Sequence, residues 1–174
     1  MQIPEAFEFL FTPKRYKIAY GGRGSAKTES FGRALIIQGM QECLPILCTR
    51  EFQVSIKDSV HRLLASIIQS ENLADQYEVL QSTIRHRYNG TEFIFKGLKH
   101  NIAEIKGLHG IKRVWAEEAE NVSHRSWETL IPTIRAEDSE IWISFNTKNR
   151  TDPTYEIFVA NQQPDSIVRK VSWR

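Results

Sequence analysis

The sequence predicts an α/β fold: a mostly parallel central sheet flanked by helices, with a β-hairpin insertion. Three observations predict it. Short apolar runs of strand length alternate with stretches whose apolar residues recur at helical spacing. A glycine-rich turn joins the first strand directly to the first helix. Asn89-Gly90 separates two alternating runs, a strong short-range hairpin signal.

Residues 1–16 read as an entry segment that packs through Phe7, Phe9, Leu10 and Phe11. Tyr16 to Tyr20 reads as a strand ending at Gly21-Gly22. From Ala26 to Met40, Phe31, Ala34, Leu35 and Ile37 give a helix with one buried face. Pro45 to Thr49 is a second buried strand. Residues 54–70 place Val54, Ile56, Val60, Leu63, Leu64 and Ile67 mostly on helical spacing. In the hairpin region Ile84, His86 and Tyr88 alternate with Arg85 and Arg87, and Phe93, Ile94 and Phe95 follow the turn. Ile111 to Ala116 is a further strand. Ser123 to Arg135 reads as a helix with Ser123 as N-cap, and Pro132 is expected to break it early. Ile141 to Phe145 is a strand, Pro153 to Asn161 a short helix and Ile167 to Trp173 a final strand.

At 174 residues, 41% hydrophobic and 25% charged, the chain has the size and composition of one globular domain, residues 1–174. No apolar run approaches the roughly 20 residues of a membrane span, so no membrane association is expected. The first residues lack a basic stretch followed by an apolar one, so no secretory signal is expected. Cys43 and Cys48 have no other cysteine to complete a zinc site, and Cys48 lies in an apolar run as a buried thiol, which fits a reducing cytosol. With 23 basic and 21 acidic residues the net charge is +2, so any nucleic-acid contact must come from a local patch. Arg85, His86, Arg87, Lys96, Lys99 and His100 are the candidate patch.

Gly21-Gly22-Arg23-Gly24-Ser25-Ala26-Lys27-Thr28 lies where strand gives way to helix. It follows the phosphate-loop pattern G-x-x-x-x-G-K-[ST], with Ala26 in place of the second glycine. Glycines let successive backbone N–H groups turn inward around phosphate oxygens, and the helix N-terminus adds partial positive charge. Lys27 is positioned for the β- and γ-phosphates, and the Thr28 hydroxyl for Mg²⁺. Arg23 adds a mid-loop cation near a terminal phosphate. If Ala26 must adopt a left-handed backbone, its methyl costs on the order of 1 kcal/mol.

A phosphate loop needs an acidic strand end to complete the metal site, and Val114-Trp115-Ala116-Glu117-Glu118 offers one. Glu117 is placed to hold the Mg²⁺ shell, where Asp is more usual. Glu118 is placed to orient or deprotonate the attacking water. The spacing leaves room for strands between loop and acids, as in the additional-strand branch of phosphate-loop hydrolases, whose cores are RecA-like. A third strand ends in Ser144-Phe145-Asn146-Thr147, where Ser144, Asn146 and Thr147 are expected to face the γ-phosphate.

Taken in order, these segments resemble the N-terminal ATPase domain of the large terminase subunit of tailed bacteriophages. The resemblance runs over nearly the whole chain. It rests on Arg15-Tyr16-Lys17 before the loop, Leu47-Cys48-Thr49-Arg50-Glu51, Ile105 to Gly110, Trp115 to Glu120, Ser126-Trp127, Ile131 to Arg135, and Glu140 to Asn146. It implies that Lys27 and Thr28 bind ATP and Mg²⁺, with Gly22, Arg23, Gly24, Ser25 and Ala26 completing the loop. It implies Glu117 on the metal side and Glu118 as the catalytic acid. Arg23 stabilises charge at the γ-phosphate, Ser144, Phe145 and Asn146 couple hydrolysis to movement, and Arg15 and Tyr16 contact the adenine. The family also uses an arginine from a neighbouring subunit, for which Lys106, Arg125 and Arg135 are candidates. Its C-terminal nuclease has no counterpart in this sequence.

The partners implied are double-stranded viral DNA, the portal protein, the small terminase subunit and further copies of the chain. Those copies form a ring, a pentamer, on the procapsid, with a monomer in isolation. The implied place is the host cytoplasm, transiently on the procapsid. From the residues alone two alternatives stay open: another phosphate-loop DNA-dependent ATPase or helicase-like translocase, and a nucleotide-binding module with little turnover.

Overall fold

The computed structural model describes residues 1–172. Its eight strands are β1 (Tyr16–Gly21), β2 (Pro45–Arg50), β3 (Tyr77–Val79), β4 (Thr83–His86), β5 (Glu92–Gly97), β6 (Arg113–Ala116), β7 (Glu140–Asn146) and β8 (Ser166–Val171). They form one sheet in the order β3-β4-β5-β2-β6-β7-β1-β8. From β5 to β8 every pairing is parallel, while β4 runs antiparallel to both β3 and β5. The mostly parallel sheet and its hairpin are as the sequence predicts. β3 is an added strand, and Trp173 of the expected last strand lies outside the described residues.

Both sheet faces are covered, which explains why the inner strands read as unbroken apolar runs. On β7, Trp142 faces a core with Phe31, Leu35 and Trp115. Ile141, Ile143 and Phe145 face a second core with Val114, Trp127, Leu130 and Phe158. Helix α1 (Lys27–Gln41) belongs to the first core through Phe31, Ala34 and Leu35.

Residues 53–70 are not one regular helix. A short α2 (Gln53–Ile56) passes through a π-helical turn, Lys57–His61, into α3 (Arg62–Ser70). Ile56, Val60, Leu64 and Ile67 make the buried face, whereas Val54 is 83% exposed. The extra residue per turn in the π segment shifts the phase, so Val54 leaves the stripe that ideal spacing assigns it. After α4 (Ile102–Lys106), helix α5 spans His124–Thr133. Its Ser123 cap accepts the Ser126 N–H. Pro132 sits in the final turn, where only one intrahelical bond is lost, so the helix runs through it. A short α6 (Pro153–Tyr155) leads into a second π turn, Glu156–Ala160.

A buried ionic cluster joins β1, β6 and β7. Glu140 Oε2 accepts from Lys17 Nζ at 2.7 Å and from Trp142 Nε1 at 2.7 Å, with Arg113 Nε at 3.4 Å. Lys17 also donates to Leu10 O at 2.7 Å, which ties the entry segment to β1. Burial pushes the Lys17 ammonium pKa down, against the bond from Glu140.

Candidate functional site

Parallel strands end together, so their C-terminal ends gather the site. Gly21 pairs with Asn146, and β6 ends beside β7. β7 therefore separates the loop strand from the acid strand, the additional-strand arrangement expected. A cleft of about 620 Å³ opens there. It is lined by Arg23, the loop residues Gly24 to Thr28, all three glutamates from 117 to 120, and Ser144, Phe145, Asn146 and Lys148.

The loop geometry follows from its sequence. A side chain at Gly21 would meet Val171 O at 1.9 Å, so only glycine fits between β1 and β8. Ala26 caps α1 with φ 57°, in the left-handed region. The expected strain is therefore present, and Ala26→Gly is expected to raise stability by about 1 kcal/mol, read from denaturant unfolding. A neutral or destabilising result would show that the methyl contributes packing that outweighs the strain.

Lys27 is 6% exposed. Its Nζ donates to Gly22 O and Ser25 Oγ, each at 2.7 Å, and to Asn146 Oδ1 at 3.1 Å. Burial lowers its pKa, while Glu120 and Glu117 oppose the shift. Thr28 Oγ1 donates to Glu117 Oε1 at 3.1 Å, so hydroxyl and carboxylate already face one another. Burial raises the Glu117 pKa; Arg50 pulls it back and Glu118 pushes it up further. Glu118 is the more exposed acid and holds φ 50°, a left-handed conformation for a residue with a side chain. Such strain tends to sit at functional positions.

Arg50, at the end of β2, carries no site role on the sequence alone. Its Nε lies 2.5 Å from Glu117 Oε2 and its guanidinium 3.4 Å from Glu118. The clue is its place after a buried strand, yet its meaning depends on β2 lying next to β6, which sequence does not display. Thr49 O accepts the Glu117 N–H at 2.9 Å, locking the two strand ends together.

Other expected residues are used differently. Ser144 is buried and its Oγ accepts from Trp115 Nε1 at 2.9 Å, at the floor of the cleft. Phe145 points to the opposite core and stacks on Tyr20. Of the three, Asn146 alone bonds Lys27. Arg15 and Tyr16 are not brought to the loop. They stand where β1 begins, at the other end of the sheet. Arg15 donates to Ser139 Oγ at 2.7 Å and Ile134 O at 2.6 Å, bordering a separate groove of about 980 Å³. Arg135 borders that groove as well, while Lys106 and Arg125 do not line the cleft.

The candidate basic region is likewise dispersed. Lys96 pairs with Glu104 near the C-terminal end of β5. Arg85 pairs with Glu92 at the N-terminal end of that strand, and Arg87 donates to Ala74 O. His86 is buried against Gln76.

The chain is 25% identical over 169 residues to the PBSX phage terminase large subunit of Bacillus subtilis (strain 168), covering 95% of this chain and 39% of that protein. Its fold is similar to that of a large terminase from a thermophilic bacteriophage, with TM-score 0.80 and 12% identity over 99% of this chain and 46% of that one. The same thermophilic phage protein has also been solved with ADP, at TM-score 0.75 and 10% identity, covering 98% of this chain and 46% of that one. The N-terminal domain of the DNA packaging ATPase of bacteriophage phi29 is similar at TM-score 0.75 and 12% identity, covering 97% of this chain and 95% of that one. This chain thus spans less than half of the PBSX protein and of the thermophilic phage terminase. The family model for the phage terminase large subunit matches residues 13–174, and the chain belongs to that family.

Proposed function

We propose that this chain is the ATPase portion of a terminase large subunit. It hydrolyses ATP by direct attack of water and uses the energy to move double-stranded viral DNA into a procapsid. The observation that carries the reading is the convergence of Lys27, Thr28, Glu117 and Glu118, from two non-adjacent strands, on one cleft.

Lys27 binds the β- and γ-phosphates, exchanging its present acceptors for phosphate oxygens. The loop N–H groups and the α1 N-terminus hold the remaining oxygens. Arg23, exposed on the cleft rim, answers the charge that builds on the γ-phosphate. Thr28 Oγ1 and the Glu117 carboxylate are hard oxygen donors 3.1 Å apart, a set that fits Mg²⁺, and they would hold it. Bound there, Mg²⁺ offsets charge on the β- and γ-phosphates. Glu118 orients the attacking water and accepts its proton. Arg50, bonded to both acids, sets their separation. Asn146 senses the phosphates through Lys27 and passes the change to β7.

The implied partners are double-stranded DNA, the portal protein, the small terminase subunit and further copies of the chain in a ring, in the host cytoplasm at the procapsid. A cation from a neighbouring subunit completes the site, and Lys106, Arg125 and Arg135 of that neighbour are the candidates for it. Residues 1–174 carry no nuclease in this reading. Phosphate release by the wild-type chain with ATP and Mg²⁺, compared with Glu118→Ala, tests it. Equal rates would remove Glu118 from the reaction.

A further inference from the structure

Glu120 is a buried carboxylate of the cleft that the reaction above leaves without a task. It is 7% exposed and lies in the 3₁₀ turn Ala119–Asn121, which carries the chain away from Glu117 and Glu118. Its Oε2 accepts the backbone N–H of Asn146 at 3.4 Å. The Asn146 side-chain oxygen accepts from Lys27 Nζ at 3.1 Å. Two links thus run from the acid loop, through the last residue of β7, to the phosphate lysine.

We propose that Glu120 is a positioning residue: it fixes the end of β7, and with it the Asn146 amide, against Lys27, so that acid loop and strand end move as one. The inference rests on the ATPase reading and deepens it. A three-residue 3₁₀ turn has no helix dipole worth neutralising, so a capping role does not account for a carboxylate this buried. Keeping it there is costly unless it is bonded, and besides its own backbone N–H it accepts one from a different strand. The exposed Lys148 lines the same cleft and adds attraction from the solvent side. Because Asn146 touches Lys27 and Glu120 touches Asn146, the two residues act in series, and their effects must not add.

The test is a double-mutant cycle of Glu120→Ala, Asn146→Ala and both together, with Glu120→Gln as the conservative variant. Single-turnover hydrolysis, ATP dissociation constants and melting temperatures are measured, with wild type and Glu118→Ala as references. Glu120→Ala is expected to lower the hydrolysis rate about tenfold, the worth of one charge-assisted hydrogen bond. The double variant should be no slower than Asn146→Ala alone. Glu120→Gln keeps an oxygen acceptor and should recover most of the rate. Additive losses would overturn the proposal, as would Glu120→Gln as slow as Glu120→Ala. A drop in melting temperature with an unchanged rate per folded molecule would assign Glu120 to folding and also overturn it. If wild type releases no phosphate, the ATPase reading fails on its own. The same cycle read on ATP dissociation constants then decides: non-additive effects support the link, and additive ones overturn it.

Discussion

Alanine at Glu118 is expected to slow ATP hydrolysis by about 10²–10⁴-fold, the range for loss of a positioned general base, while ATP still binds. The expectation follows from position. Glu118 lies at the cleft mouth and is the more exposed of the acid pair. Glu117, by contrast, is committed to Thr28 and Arg50. The left-handed backbone at Glu118 turns its side chain to the cleft, and Glu118 O accepts the Asn121 N–H at 3.1 Å to hold that turn. Glu118→Gln separates the two parts of the role: it keeps a polar group for orienting water but takes no proton. Phosphate-release rates for the three proteins check it. A Gln variant as fast as wild type would reduce Glu118 to an orienting group.

The second large effect is on stability. Glu140→Ala is expected to cost about 3–5 kcal/mol, because it strands the buried Lys17 ammonium and the Trp142 N–H without their shared acceptor. For a chain of this size that is a fall in melting temperature of roughly 6–20 °C. Lys17 is fully buried, so water does not replace the lost carboxylate. Removing both charges in Lys17→Met with Glu140→Ala should cost less than the sum of the singles, since an apolar replacement leaves no orphan charge. Denaturant unfolding of the three variants checks this. A loss below about 1 kcal/mol for Glu140→Ala would mean that Leu10 O is acceptor enough for the Lys17 ammonium.

These effects differ in how far they can be read from sequence. Lys27, Thr28, Glu117 and Glu118 are legible because each follows the C-terminal end of a strand, and parallel strands bring such ends to one edge whatever their order. Arg50 and Glu120 are not, because their roles depend on which strands are neighbours. Arg15 and Tyr16 lie near the loop in sequence, but a six-residue strand at about 3.3 Å per residue carries them roughly 20 Å from it. Ser144 and Phe145 share a strand with Asn146, yet alternation sends their side chains to opposite faces, and the Trp115 indole takes the hydroxyl. The break between α2 and α3 escapes the helical spacing because a π turn displaces the stripe without changing its residue types.

The central claim is that the loop from Gly21 to Thr28 holds the phosphates of ATP. Calorimetric titration of ATP with Mg²⁺ into the wild-type chain and into Lys27→Ala tests it most directly. Wild type is expected to bind and Lys27→Ala to lose most of that affinity, with its melting temperature retained. Equal affinity in the two proteins would contradict the assignment of the loop.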